Sequence, residues 1–150
     1  MIPGIEIKSL VTHADARGFF REIIRGTDEF FSAGFAQWSH SVLYDSVIKA
    51  WHMHRLQTDW WYVVSGVLKV GLCDLREDSP TKGQTASLLM GDHQPPIVLA
   101  IPPGIAHGCR ALQAPVNLMY ITSRTYDPED EIRIPWNDRR IPFDWDTPIT

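Results

Sequence analysis

Short runs in which apolar and polar residues alternate make up most of the chain, and they predict β-strands. A helical period is rare; residues 27–35 predict one or two helical turns, with Thr27 or Asp28 as the cap. Strand-like runs rich in β-branched and aromatic residues, bounded by Gly, Pro or Asp, cover 20–25, 37–44, 47–54, 60–66, 67–75, 85–90, 97–102 and 116–124. So many short strands with turn residues between them indicate an all-β sandwich or barrel with little helix.

Length and composition fit one domain over residues 1–150, with 44% hydrophobic residues and a core of ordinary size. The formal net charge of -4 argues against general nucleic-acid binding, which needs a basic surface. No apolar run is long enough to span a bilayer, and the first ten residues do not form a secretory signal. Cys73 and Cys109 match no metal or disulfide spacing, so we expect reduced thiols in the core of a cytoplasmic protein.

The C-terminal segment 128–148 is polar and rich in proline, and it predicts a strap that crosses the surface. We expect it to dock through Trp136, Phe143 and Trp145. The acidic run 127–131 at its start predicts a solvated loop.

Two histidines, His52 and His54, are the main candidates for chemistry. In a strand over 47–54 they point, together with Ala50, into the same cavity. With four residues between His54 and Asp59, and with His107 at the end of "PPGIAH", the spacing resembles the two motifs of the cupin superfamily. Three imidazoles and a carboxylate suit Zn, Fe, Mn or Ni, so a metal held by His52, His54, Asp59 and His107 is one interpretation. The alternative is a histidine pair hydrogen-bonded inside a polar cavity, without a metal.

Beyond this spacing, nearly the whole chain resembles the dTDP-4-dehydrorhamnose 3,5-epimerase family. The matching stretches are "DARGFFRE" (15–22), "QWSHS" (37–41), "KAWH" (49–52), "LREDSPTKGQ" (75–84), "IPPGIAHG" (101–108), "YITSRTY" (120–126) and "IPWND" (134–138). The resemblance implies a cupin-type β-jelly roll, a homodimer and catalysis without a metal. A short part, "KAWHMHR", also resembles the nucleotide-sugar 3,4-ketoisomerases, whose paired histidines move protons without a metal.

The resemblance also implies roles for individual residues. His52 takes the position of the catalytic base, and Tyr126 that of the acid on the opposite face of the sugar. An arm that crosses to the partner subunit and holds the nucleotide would carry Arg17, Phe20 and Glu22, while Gln37 and His107 match further site positions. The implied reaction is proton transfer next to the ketone of a dTDP-4-keto-6-deoxy sugar, for which an imidazole is a suitable base near neutral pH.

The chain departs from the family inside the site. Lys49 stands for an arginine, Ser39 for an asparagine, His54 for a glutamine and Asp59 for a lysine. The sequence also ends before the family's segment with the aspartate that pairs with the histidine base, so no carboxylate partner of His52 is expected from there. These departures leave two alternatives open: a metal cupin of other activity and a sugar-binding cupin without catalysis.

Lys49 and His54 remain candidates for substrate binding despite these changes. Trp60 is a further candidate, as a platform on which a sugar or a base stacks. The alternation within 60–62 puts Trp60 and Tyr62 on one strand face and Trp61 on the other, and core packing is the competing interpretation.

Overall fold

A computed structural model describes residues 2–147, which form antiparallel β-sheets with a single helical turn among them. The turn is a 3-10 helix at Glu29–Phe31, preceded by Asp28 at its N-cap. The strands are β1 Glu6–Ser9, β2 Thr12–Asp15, β3 Gly18–Arg21, β4 Gln37–Leu43, β5 Ile48–His54, β6 Asp59–Asp74, β7 Thr85–Gly91, β8 Ile97–Ile101, β9 Ile105–Thr122 and β10 Glu131–Arg133. The all-β fold with little helix predicted from the sequence is confirmed.

The two longest strands, β6 and β9, pair with each other along nearly their whole length and hold the sheet together. Register shifts between Val63 and Leu68 interrupt the ladder of β6, and such bulges bend a strand. The first part of β6 therefore pairs with β8 and the second with β7, while β4 and β5 flank different parts of β9. The main sheet runs β1-β8-β6-β9-β5-β10, and its curvature produces the jelly roll.

The main core lies inside this curved sheet. Alternate residues of β6 and β9 point inward, so Leu68, Val70 and Leu72 meet Cys109, Ala111 and neighbouring aliphatic side chains, all buried. Burial of this apolar surface provides the main driving force for folding. Both Cys73 and Cys109 are buried free thiols, as expected.

Among the described residues, strands β2 and β3 form a separate two-stranded hairpin, paired with each other and not with the main sheet. Nearly all of its residues are exposed, including Phe19 and Phe20. An isolated hairpin of this kind is marginally stable on its own.

The C-terminal strap packs against the outer side of β5 and β6. Trp51 is fully buried there, with ring centroids 5.2 Å from Phe143 and 4.9 Å from Trp145. Lys69, also buried, donates hydrogen bonds to the carbonyl oxygens of Asp144 (2.7 Å) and Thr147 (2.6 Å). The strap therefore docks through Phe143 and Trp145 as predicted.

Trp136 does not share this role: half of its surface is exposed, and it contributes its carbonyl oxygen, which accepts a hydrogen bond from Trp145 Nε1. The strap forms a turn at Pro135–Asp138, where the Asp138 amide donates to the Pro135 carbonyl. Trp136 lies within this turn and therefore stays at the surface.

Strand boundaries differ from the predicted ones in four places. The strand predicted over 20–25 is wrong beyond its start, because β3 spans Gly18–Arg21 and residues 22–25 lie outside it. Segments 60–66 and 67–75 form one bent strand, because Gly66 sits at a bulge (φ +80°) and not at a chain reversal. Strand β9 begins at Ile105, eleven residues earlier than the predicted 116. Strands β1, β2 and β10 are short pieces that the hydrophobic pattern did not predict. Within residues 2–147, no helix has the length and apolar character needed to cross a membrane.

Candidate active site

A cavity of about 340 Å³ opens between the ends of β4, β5, β6, β9 and β10. Most of the predicted site residues meet here. Its lining includes Gln37, Lys49, His52, His54, Asp59, Trp61, His107, Tyr126, Glu131 and Arg133.

His52 has a carboxylate partner that the sequence did not predict. Its Nδ1 donates to Glu131 Oε1 over 2.9 Å, and Glu131 Oε2 accepts from Arg133 Nε over 3.0 Å. Burial raises the pKa of Glu131, but the hydrogen bonds from His52 and Arg133 outweigh it and hold that pKa below its ordinary value. The ionised carboxylate thus fixes the imidazole tautomer and leaves Nε2 free to accept a proton.

The partner comes from β10, which pairs with β5 so that Glu131 lies opposite His54 and Arg133 opposite His52. The expectation of a solvated loop over 127–131 is therefore wrong at its C-terminal end. Asp130 is also buried; its Oδ1 accepts from the amides of Arg55 and Leu56, both over 3.0 Å. The end of the acidic run is buried because the carboxylates of Asp130 and Glu131 accept hydrogen bonds from residues at the end of β5 and just after it.

The floor of the cavity consists of His54, Asp59 and His107, whose side chains are 12%, 6% and 5% exposed. One ligand-type atom of each lies within 4.8 Å of the others, and His107 Nε2 is 3.8 Å from Asp59 Oδ2. The two imidazole rings stack with centroids 5.7 Å apart. His52 faces Glu131 and lies outside this close group.

Neighbouring side chains hold the floor in place. Asp59 Oδ1 accepts from Gln57 Nε2 over 2.7 Å, and Asp59 Oδ2 accepts from Trp61 Nε1 over 3.3 Å. His107 Nδ1 donates to the carbonyl oxygen of Ile105 over 3.0 Å, so its Nε2 lone pair faces the cavity. Burial lowers the pKa of His107, although the charge of Asp59 opposes this shift.

The "PPGIAH" motif places His107 by a tight turn before β9. Gly104 adopts φ +81°, a conformation that favours glycine, and its amide donates to the His54 carbonyl over 2.8 Å. A Cβ at Gly104 would lie 2.4 Å from Arg76 Cγ. The motif therefore ties the start of β9 to the end of β5 and brings the two histidines together.

Tyr126 and Gln37 lie together at the rim, where Gln37 Oε1 accepts from the Tyr126 amide over 2.9 Å. Gln37 thus positions the segment that carries Tyr126. Lys49 also lines the cavity, and its Nζ donates to Ser41 Oγ over 3.0 Å.

Two predicted orientations are wrong. Ala50 does not point into the cavity, because the pairing of β5 with β9 shifts register between Lys49 and His52. Lys49 lines the cavity instead, and Ala50 packs on the other side with Trp51 and Trp145. Residues 60–62 do alternate between the two faces of the strand, but the face that carries Trp60 points away from the cavity, so Trp60 is not a platform for a ligand there. Trp61 lines the cavity, whereas Trp60 is buried on the other side of the sheet against Phe31.

The three predicted arm residues lie away from the cavity in the single chain. Arg17 is at the tip of the β2–β3 hairpin, with 90% of its side chain exposed, and pairs with Asp15. Phe20 and Glu22 line a separate shallow depression on the outside of the hairpin.

These features define the class: a cupin-type jelly roll whose cavity holds a histidine–carboxylate pair and a buried histidine–aspartate group. The sequence model of the dTDP-4-dehydrorhamnose 3,5-epimerase family matches residues 1–150, and the chain belongs to that family.

Relatives support the assignment. The chain is 47% identical to the spore coat polysaccharide biosynthesis protein SpsL of Bacillus subtilis, over 98% of each chain. It is 34% identical to the dTDP-4-dehydrorhamnose 3,5-epimerase of Mycobacterium tuberculosis H37Rv, over 96% of this chain and 74% of the other. The structure of the 3,5-epimerase RmlC from Legionella pneumophila Philadelphia 1, in complex with dTDP-4-keto-L-rhamnose, superimposes with a TM-score of 0.85 at 26% identity, covering 95% and 78%.

The resemblance stated from the sequence is thereby confirmed, and so is the predicted class of enzyme, a carbohydrate epimerase or isomerase of nucleotide-sugar metabolism. The jelly roll of the family agrees with the observed sheet topology.

Proposed function

We propose that this chain removes and returns a carbon-bound proton next to the ketone of a dTDP-linked 4-keto-6-deoxy sugar, with His52 as the base. The observation that carries the proposal is the pair formed by His52 and Glu131, which opens into the cavity with its basic nitrogen free. The sugar class follows from family membership and from the ligand of the Legionella relative.

In the first step, His52 Nε2 takes the proton and the bonding electrons move toward the ketone oxygen, forming an enolate. Glu131 stabilises the imidazolium that results, since a carboxylate next to a cation lowers its free energy. Tyr126, on the rim of the same cavity, then donates its hydroxyl proton to the carbon from the opposite face, and this inverts the stereocentre. The phenolate is reprotonated from solvent, and His52 releases its proton to solvent.

We further propose that the working enzyme is a homodimer in which the β2–β3 hairpin reaches into the partner's cavity. Three observations support this arrangement. Among the described strands, β2 and β3 pair only with each other. The aromatic residues of the hairpin are exposed, and Arg17 lies at its tip with nearly all of its side chain in solvent. A guanidinium fork suits a diphosphate, so Arg17 is the proposed nucleotide contact, with Phe20 and Glu22 beside it. Lys49 provides a second cation at the cavity itself.

The test is solvent exchange in D₂O with dTDP-4-keto-6-deoxyglucose, followed by proton NMR at C3 and C5. Wild-type protein should replace the proton at one or both positions with deuterium. His52→Ala should slow exchange by about 10²- to 10⁴-fold, the usual contribution of a general base. This variant should still bind dTDP, because the proposed nucleotide contacts lie elsewhere.

His40→Ala is the matched control, because His40 lies on β4 outside the cavity lining and bonds to Asn117. It should exchange at the wild-type rate. If wild-type protein binds the nucleotide sugar but exchanges neither position over hours, the chain is a sugar-binding cupin and the catalytic proposal fails.

A further inference from the structure

We propose that His54, Asp59 and His107 form a binding site for one divalent transition-metal ion, such as Zn²⁺, Mn²⁺, Fe²⁺ or Ni²⁺. This set is smaller than the four residues suggested by the sequence motif, because, of the four, only these three residues have ligand atoms within 4.8 Å of one another, and His52 lies outside the group.

Asp59 and His107 face each other with electron pairs and with no hydrogen bond between them. His107 Nδ1 donates its hydrogen to the Ile105 carbonyl, so in the neutral imidazole the nitrogen that faces Asp59 Oδ2 at 3.8 Å carries a lone pair and no hydrogen. A carboxylate and an imidazole lone pair that face each other in a buried space repel, and a cation between them removes the repulsion.

The lysine and arginine that line the cavity are engaged elsewhere. Lys49 donates to Ser41, and Arg133 donates to Glu131. Asp59 receives two neutral donors, from Gln57 and Trp61, but no cationic side chain of the described chain bonds to it. A buried carboxylate without a cationic partner is costly, and metal coordination is one of the ways in which proteins compensate such a charge.

Geometry fits an ion with modest adjustment. Zn–N and Zn–O bonds of about 2.1 Å in a tetrahedron place ligand atoms roughly 3.4 Å apart. The 3.8 Å between His107 Nε2 and Asp59 Oδ2 is close to that spacing, and all three ligand atoms lie within 4.8 Å. Two imidazoles and one carboxylate leave positions open, and the cavity lies on the open side for water or a substrate oxygen.

Supporting contacts resemble those around protein metal sites, where ligands are held by further hydrogen bonds. The bond from His107 Nδ1 to the Ile105 carbonyl and those from Gln57 and Trp61 to Asp59 already orient the ligands. Any catalytic effect rests on the proposed function: an ion here would add positive charge to the cavity in which the enolate forms.

The experiment uses the full chain without a histidine tag, stripped with a chelator and then titrated with Zn²⁺ and with Co²⁺. We expect one ion per chain by elemental analysis after dialysis, and a visible Co²⁺ absorption typical of low coordination number. His54→Gln and Asp59→Asn should each weaken Zn²⁺ binding at least about tenfold. His52→Gln is the matched control, the same change two residues away on the same strand, and it should bind within about threefold of wild type.

Thermal unfolding keeps the result interpretable if a variant is less stable. Zn²⁺ should raise the midpoint of wild type and of His52→Gln, because a ligand of the folded state stabilises it, and should not raise that of His54→Gln. Substoichiometric Zn²⁺ in wild type, or equal loss of affinity in His52→Gln and His54→Gln, overturns the three-residue site. No sugar is present in this titration, so its failure leaves the exchange reaction of His52 standing, and the reverse is also true.

Discussion

At the scale of single residues, the proposed chemistry depends on the hydrogen bond from His52 to Glu131. Glu131 is mostly withdrawn from solvent, with 12% of its side chain exposed, and it receives both His52 and Arg133. A carboxylate in this position holds one imidazole tautomer and one ring orientation. Glu131 of β10 therefore supplies a carboxylate partner to His52, the proposed base.

A second residue, Asp74, stabilises the fold outside the site. Its buried carboxylate accepts from Arg76, Ser79 and Thr81. These hydrogen bonds, chiefly the one from Arg76, lower its pKa far below the ordinary value, although burial opposes the shift. Because the folded-state pKa is depressed, this carboxylate stabilises the fold above its ordinary pKa of 3.8. That contribution is lost as the pH falls from 3.8 toward the folded-state pKa.

We therefore predict that Asp74→Asn lowers the free energy of unfolding at pH 7 by roughly 3 kcal/mol, since it weakens several charge-assisted hydrogen bonds in a buried place. The difference from wild type should shrink as the pH falls below 3.8. Urea unfolding at a series of pH values measures both. A difference that grows on acidification would contradict the assigned role.

At the scale of elements, the strands that carry the histidines could be predicted from alternation alone. Segment 47–54 became β5, and 37–44 became β4, with ends within one residue. The local irregularity between Lys49 and His52 could not be predicted, because it depends on how β5 meets β9, where Gly108 leaves room for Ala50.

The contact between His52 and Glu131 could not be predicted from the local sequence pattern either. It joins residues 79 positions apart, and a three-residue strand in an acidic run gives no periodic signal. Alternation could not predict the position of Trp60 either, because it fixes which residues share a face but not which face is inside. The motifs, by contrast, predicted three histidines, His52, His54 and His107, that all line one cavity.

The packing of the C-terminal strap against β6 can be tested by a substitution at Gly71. A Cβ at Gly71 would lie 2.8 Å from Phe143 and Trp145 and 2.9 Å from Trp51, so Gly71→Ala should push the strap away from β6. We expect a loss of about 2 kcal/mol in the free energy of unfolding, typical of overpacking. Gly26→Ala, where nothing lies within 4 Å of the added carbon, should change it by less than about 1 kcal/mol. Equal effects of the two changes in urea unfolding would mean that the strap is not tightly packed.

At the scale of the whole molecule, the single chain has its cavity and its proposed nucleotide arm apart. The exposed hairpin can act on a cavity only if a second copy offers one. Light scattering at micromolar concentration should therefore give the mass of a dimer, and a monomer would remove the proposed roles of Arg17, Phe20 and Glu22.

Arg17→Ala should raise KM for the nucleotide sugar more than it lowers kcat, because it removes binding to a part of the substrate that does not react. Arg140 provides a matched control: it pairs with an aspartate two residues earlier, Asp138, as Arg17 pairs with Asp15. Arg140→Ala should leave KM unchanged. A similar rise in KM for both variants would point to a general effect of surface charge.

The central claim is that His52 and Glu131 act as one proton-transfer unit, and a double-mutant cycle on the rate of deuterium exchange tests it most directly. The rate would be measured by NMR with dTDP-4-keto-6-deoxyglucose in D₂O for wild type, His52→Gln, Glu131→Gln and the double variant. We predict a loss of about 10³-fold for His52→Gln and of roughly 10- to 100-fold for Glu131→Gln. The double variant should be no slower than His52→Gln, because Glu131 acts through the imidazole. Losses that multiply in the double variant, or a wild-type rate in Glu131→Gln, would contradict the claim.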